Sequence, residues 1–239
     1  FFPLRRARLN QSNGDGIDWS DPTTKGLVFA FEAAIGQRNI VDSVAGEAIG
    51  SGVVASVGAF GRQYTFSGSQ ANRSCSFGLF GGLLGCTQTT HEFLFYTPSA
   101  NPGSDLFGQW DFNQRWLIQL AGGYVVWVAA QDISGNRSRF DSTLSLFPAA
   151  GWYHCIFSWR GGNSFTVIIN GVDKSSSFVV VSSAATNIAT TNTNDYLQIG
   201  ITNGGGAFTG SVAYARIWNR GLSASEAQKR SCNLWQVFL

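Results

Sequence analysis

The feature that most constrains this chain lies between residues 151 and 173, in the stretch GWYHCIFSWRGGNSFTVIINGVD. Tyr153, Cys155, Phe157 and Trp159 recur at every second position, and beyond Gly161-Gly162 so do Phe165, Val167 and Ile169. Residues two apart in a strand share a face, so this pattern predicts a hairpin with one face buried. Asn170-Gly171 predicts the tight turn that follows, because both residues tolerate the backbone such turns require. The pattern resumes near the end of the chain. Leu197 and Ile199 alternate, Gly200 ends that strand, and Gly204-Gly205-Gly206 turns the chain into a strand from Phe208 to Trp218. The apolar step from Val212 to Ala215 is odd, whereas that from Ala215 to Ile217 is even, which predicts a bulge near Ala213 and Tyr214. Ser223-Ala-Ser-Glu226 has the spacing of a capping box and predicts a helix of about two turns.

Upstream, residues 1–24 carry Arg5, Arg6 and Arg8, then Asn-, Ser- and Gly-rich sequence and Asp21-Pro22. They offer little to bury and read as an extended arm, either a solvated tail or a segment that docks onto a larger acidic assembly. Strands are expected at 27–31 and 91–96, with a short element at 39–44 and a small, apolar stretch at 53–60. A meander is expected at 105–110, 116–120 and 124–130. Residues 72–90 form a glycine-rich excursion containing Leu79, Phe80, Leu83 and Leu84, open to two readings: a partly buried loop or a surface patch. Residues 132–142 read as polar loop or edge, and 175–193 as one strand at 178–181 plus a long loop. Roughly thirteen short strands with turn punctuation predict an all-β, two-sheet antiparallel sandwich closed by one short C-terminal helix.

Leu197-x-Ile199-Gly200, Phe208-x-Gly210, Arg216-Ile217-Trp218-Asn219-Arg220 and Leu222-Ser223-x-x-Glu226 together resemble laminin-G-like, concanavalin A-type jelly-roll domains. The resemblance extends over 25–230, with a D-x-x-G loop at 42–46 and an F-x-G strand end at Phe66-Ser-Gly68. It implies a jelly roll between an arm at 1–24 and a tail at 231–239. Lys25-Gly26-Leu27-Val28-Phe29-Ala30-Phe31 and Asn233-Leu-Trp235-Gln236-Val-Phe238 resemble the flanks of such domains in bacteriophage and prophage structural proteins. This implies an oligomeric virion protein, decorating the capsid or associated with the tail, that partners other virion proteins at the virion surface. The alternative is a carbohydrate-binding lectin domain of a secreted or cell-surface protein.

Composition agrees with a displayed β domain. Charged residues make up 13% of the 239-residue chain, against about 25% in typical domains, which suits subunit contacts better than a solitary cytosolic enzyme. A net charge of +2 calls for neither nucleic acid nor an anionic membrane. No apolar run approaches the roughly 20 residues of a membrane-spanning helix. Among the four cysteines, Cys155 alternates with core aromatics and reads as a buried thiol. Cys75 and Cys86 flank a loop that a disulfide would close under oxidising conditions.

Catalytic patterns are missing. Glycosidases flank the scissile bond with two carboxyl groups, yet Glu32, Glu47, Glu92 and Glu226 form no E-x-D-x-E arrangement, and Glu226 serves the helix cap. His91 and His154 both fall within expected strands and read as structural. His154 and Cys155, adjacent in a strand, point to opposite faces and cannot pair. The chain therefore reads as non-enzymatic, with no cofactor expected. Some laminin-G-like domains hold calcium, for which Asp105, Asp111, Asp132 and Asp195 are the loop or strand-end candidates. For sugars, Trp110, Asp111, Asn113, Arg115 and Trp116 gather around one turn the flat rings and polar groups that saccharides need. The competing reading makes Trp110 and Trp116 core residues of a hairpin.

Overall fold

The computed structural model describes residues 22–34, 40–41, 47–49, 53–67, 74–100, 102–109, 115–189, 196–200 and 207–232. The first strands are β1 (Leu27–Glu32), β2 (Glu47–Ile49), β3 (Val53–Gly58), β4 (Gly61–Phe66) and β5 (Ser74–Leu79). Next come β6 (Thr89–Thr97), β7 (Ser104–Gln109), β8 (Trp116–Ala121), β9 (Tyr124–Gln131) and β10 (Arg137–Ser142). The last are β11 (Gly151–Trp159), β12 (Phe165–Ile169), β13 (Val172–Asp173), β14 (Phe178–Ser183), β15 (Tyr196–Ile199) and β16 (Gly210–Trp218). Helix α1 (Ala224–Cys232) follows.

Among the described residues the strands form two antiparallel sheets. One runs β13-β12-β11-β6-β16-β4-β3, with β1 also paired to β16; the other runs β14-β10-β9-β8-β7-β15-β5-β2. The all-β sandwich with one C-terminal helix is as the sequence predicts.

Alternation sets the inner faces. Tyr153, Cys155, Phe157 and Trp159 of β11 join Val167 and Ile169 of β12 in the core, opposite Trp116, Ile118 and Leu120 of β8 and Trp127 of β9. Phe157 meets Trp127 across the sandwich at 5.4 Å between ring centroids, and Phe29 of β1 meets Phe77 of β5 edge-on at 4.9 Å. Each fully buried ring contributes roughly 1.5–3 kcal/mol, so these cross-sheet contacts are what hold the layers together. The β12–β13 turn places Asn170 at φ 49° and Gly171 at φ 79°, the two positive φ values that an Asn-Gly hairpin turn supplies.

The expected bulge lies in β16. Its pairing with β6 slips between Val212 and Tyr214, and Ala213 and Tyr214 pack in one cluster. The slip coincides with a change of neighbour on the other edge of β16. Gly210, Ser211 and Val212 pair with β4, whereas Tyr214 to Trp218 pair with β1.

Three expectations need correction. The β11–β12 hairpin is buried on both faces, because Leu222 and Ala227 of the C-terminal segment pack on Ile156 and Ile168. Within 132–142, residues 137–142 form an inner strand of the second sheet, where Ser138, Phe140 and Ser142 point inward between β9 and β14. Part of the glycine-rich excursion is strand β5, and Phe80 and Leu83 beyond it are core residues. The partly buried reading of that stretch is the one found. The element at 39–44 and its D-x-x-G loop lie largely outside the described residues, as do 1–21 and 233–239.

Candidate functional site

Of the residues that the sequence grouped as a sugar site, the structure describes Arg115 and Trp116. Trp110, Asp111 and Asn113 lie outside the described residues, as do Arg5, Arg6 and Arg8. Trp116 is wholly buried: it stacks on His91 at 4.1 Å, meets Phe107 edge-on at 4.9 Å, and its Nε1 donates to Gln109 Oε1 at 3.0 Å. Arg115 is 1% exposed, and its Nη1 donates to the Ala189 carbonyl at 2.7 Å. Neither side chain presents a surface to a ligand. The hairpin-core reading is correct for Trp116, because it shares the inward phase of β8 with Ile118 and Leu120.

Two of the calcium candidates have other work. Asp132 Oδ1 accepts from the backbone of Ser134 and Asn136 at 2.9 and 3.0 Å, which closes the β9–β10 turn. Asp105 is buried on β7 and accepts from Gln119 Nε2 at 2.6 Å. Asp111 and Asp195 lie outside the described residues, among which no group of three His, Cys, Asp or Glu is placed to hold a metal.

The outer face of the first sheet holds a buried charge network that sequence reasoning missed. Glu92 accepts from Arg230 of α1 through Nε at 3.0 Å and Nη2 at 2.7 Å, and its other oxygen lies 3.0 Å from His154 Nε2. Arg216 donates to Glu32 Oε1 through Nε at 3.0 Å and Nη2 at 2.6 Å, and its Nη1 stands 3.5 Å from Glu92 Oε1. The Arg216 guanidinium also lies 4.1 Å over the Tyr214 ring. Burial raises the Glu32 carboxyl from its ordinary range to about 7, against the pull of Arg216. Burial also opposes ionisation of Glu92, but Arg230, then Arg216 and His154, hold it well below the usual carboxylate range. Glu32 is 2% exposed and Glu92 wholly buried. Both carboxylates are tied to guanidinium groups and closed to any substrate, so they cannot serve as an acid pair.

The second sheet carries an open patch. In the register of β7 to β10, Tyr124 faces Ala121, Val126 faces Gln119 and Asp141, Gln119 faces Asp105, and Val128 faces Arg139. Paired residues share a face, and the intervening Val125, Trp127, Ile118 and Phe140 are core. The Tyr124 set is therefore the outer face. Tyr124 is 46% exposed. Arg139 grips Asp141 with two parallel bonds, Nε to Oδ1 at 2.8 Å and Nη2 to Oδ2 at 2.7 Å, and the side chains are 36% and 25% exposed. Asp141 of this guanidinium–carboxylate fork and Gln119, which donates to the buried Asp105, thus flank Val126, and the exposed Tyr124 ring stands one same-face position along β9 from it. A ring face takes sugar C–H groups, and flanking polar pairs bridge adjacent hydroxyls. The only sequence signal was Tyr124 after Gly122-Gly123. Because β9 is apolar in both phases, alternation could not tell which side faces out.

Comparisons with known proteins agree with this architecture. The family described as the concanavalin A-like lectin/glucanases superfamily matches residues 70–228, more than half of the chain. No curated protein matches it. Among solved structures, the binding domain of Paraclostridial Mosquitocidal Protein 1 superposes with TM-score 0.66 at 18% identity, over 89% of this chain and 53% of that one. The binding domain of Botulinum Neurotoxin DC in complex with SialylT gives 0.64 at 9% identity, over 89% and 52%. The chain thus spans about half the length of these toxin domains. Domain 4 of an extracellular arabinanase from Geobacillus stearothermophilus, in complex with arabinotriose, gives 0.60 at 15% identity, over 86% of this chain and 98% of that one. With the sandwich, the capped helix and a family match across most of both sheets, the chain belongs to the concanavalin A-like lectin/glucanase superfamily.

Proposed function

We propose that this protein is a non-enzymatic glycan-binding module whose ligand lies on the outer face of the second sheet at Tyr124. The observation that carries the reading is the exposed Tyr124 ring, next on the same face of β9 to Val126, which Asp141 of the Arg139–Asp141 fork and Gln119 flank from the neighbouring strands. Two structures of like fold, the arabinanase domain with arabinotriose and the neurotoxin binding domain with SialylT, lend it support. The sealing of Glu32 and Glu92 speaks against hydrolysis. The test is titration of the full chain with arabinotriose and with SialylT. Binding of either that weakens about tenfold in Tyr124→Ala, a loss of roughly 1.4 kcal/mol, supports the reading. Binding that is unchanged in Tyr124→Ala, or absent for both sugars, overturns it.

A second reading concerns where the module is displayed. The resemblance of Lys25-Gly26-Leu27-Val28-Phe29-Ala30-Phe31 and Asn233-Leu-Trp235-Gln236-Val-Phe238 to the flanks of phage structural proteins favours a virion surface, with the arginines of 1–24 docking the domain on the particle. Deleting 1–24 should then abolish incorporation into particles, measured by quantitative blotting. Undiminished incorporation would remove that role from the arm.

A further inference from the structure

The opposite layer carries a second built surface. On the outer face of the first sheet, one cross-strand row runs Trp152, Tyr96, Ser211, Thr65 and Val54 over five neighbouring strands. At its β11 end the rings converge, with Phe60 of the β3–β4 turn edge-on to Trp152 at 5.1 Å and Tyr96 at 5.7 Å from it. All three rings are half-buried, backed by Leu94, Ala213 and Tyr214. Two strands away, at about 4.8 Å per strand, the row turns polar. Ser56 Oγ lies 2.8 Å from Thr65 Oγ1, Thr65 Oγ1 lies 2.9 Å from Ser211 Oγ, and Gln63 Nε2 donates to Ser211 Oγ at 3.0 Å. Such a chain fixes hydroxyl positions in advance: Ser211 is buried and holds Thr65 in place, while Ser56 and Thr65 are half-buried and each keeps a further donor or acceptor direction. The side chains of the row and of the hydroxyl chain are all uncharged.

We propose that this shelf is a second saccharide subsite, selective for neutral sugars, with Trp152 as the ring platform and the hydroxyls of Ser56 and Thr65, positioned by the buried Ser211, receiving those of the sugar. It shares with the Tyr124 patch only the class of ligand and lies on the other sheet, so one domain bridges two glycan segments. A fully desolvated apolar surface needs no such row of ordered hydroxyls, and a protein-binding patch of this size needs no fixed polar chain beside its rings. A sugar, with C–H faces and hydroxyl rims, uses both.

The test is nuclear magnetic resonance titration of the ¹⁵N-labelled full chain with arabinotriose, and separately with SialylT. Arabinotriose should shift the Trp152 indole N–H and the Thr65 and Ser211 amides. SialylT should leave these still, because nothing on the shelf meets its charge. Trp152→Ala should weaken the shelf's response about tenfold while resonances around Tyr124 respond as before. Trp152→Phe, which keeps a ring against Phe60 and Tyr96, should restore part of it, and the spectra themselves report that each variant is folded. Shifts confined to the Tyr124 side would overturn the second subsite and leave the first standing. Shifts confined to the Trp152 side would support the subsite and overturn the Tyr124 assignment. No shift on either side would overturn both.

Discussion

At the scale of single residues, the fold rests on a few positions that tolerate no substitute. Gly210 is one: its φ is 152°, and a Cβ there would lie 2.1 Å from the Tyr96 carbonyl oxygen and 2.6 Å from the Phe208 ring. The glycine of the Phe208-x-Gly210 motif is thus required by backbone conformation and by close packing against β6 together. Titration gives a sharper residue-level prediction. Glu32 is raised to about 7 by burial, so its folded form binds a proton more tightly than the unfolded chain does. Its contribution to stability is fully present below about 4.5 and is lost as pH rises through 7. Burial lowers His91 to about 3, so its contribution is present above about 6.5 and is lost as pH falls toward 3. Glu92, held low, contributes above about 4.5 and loses that contribution as pH falls. Between about 4.5 and 6.5 the slopes of Glu32 and His91 oppose each other, at about 1.4 kcal/mol per pH unit each. Denaturation midpoints should be nearly flat there and should fall steeply below 4.5, where His91 and Glu92 act together. Glu32→Gln removes one of the opposing slopes, so stability should then rise with pH from 4.5 to 6.5. Parallel pH profiles for the variant and the parent would refute the assignment.

At the scale of elements, α1 is held at both ends by different physics. Its start is the capping box: Glu226 N–H donates to Ser223 Oγ at 3.2 Å and Ser223 N–H to Glu226 Oε2 at 2.8 Å. The approach to it is fixed by Leu222, whose carbonyl accepts from Ser158 Oγ and Arg160 Nη1, each at 2.8 Å. Its far end is held by Arg230, which reaches the buried Glu92 and lies 4.5 Å over the Trp218 ring. A cap is worth about 1 kcal/mol, whereas removing one partner of a buried ion pair costs roughly 3–5 kcal/mol. Arg230→Ala should therefore lower stability several-fold more than Ser223→Ala in urea denaturation. Equal effects would mean that the Glu92–Arg230 contact adds nothing beyond the cap. Sequence reasoning found the box because its partners are three residues apart. It missed the far anchor because Glu92 and Arg230 are 138 residues apart and meet only when β6 and the helix pack.

At the scale of the whole molecule, the sandwich decides which aromatics are structure and which are surface. Trp116 and Tyr124 sit eight positions apart on neighbouring strands of one sheet, yet one is wholly buried and the other 46% exposed. Trp116→Ala should cost roughly 3–5 kcal/mol, and any loss of sugar binding should track the loss of folded protein. Tyr124→Ala should leave stability within about 0.5 kcal/mol while binding falls. Were Trp116→Ala to abolish binding with the fold intact by circular dichroism, the core assignment would fail.

What the chain's own order of residues determined were the features whose partners are close in sequence. These are the period-two hairpin at 151–169, the Asn170-Gly171 turn, the bulge at Ala213 and Tyr214, and the helix cap at Ser223. From them the two-layer β fold followed. Tertiary structure alone decided the rest. Strands such as β9, YVVWVAAQ, are apolar in both phases, so alternation carries no sign for inside and outside. Glu32 and Arg216 are 184 residues apart and acquire their bond only when β1 docks beside β16. Exposure of the Tyr124 and Trp152 faces likewise depends on what the packed layers leave uncovered, which is a property of the assembled solid and not of any short stretch of chain.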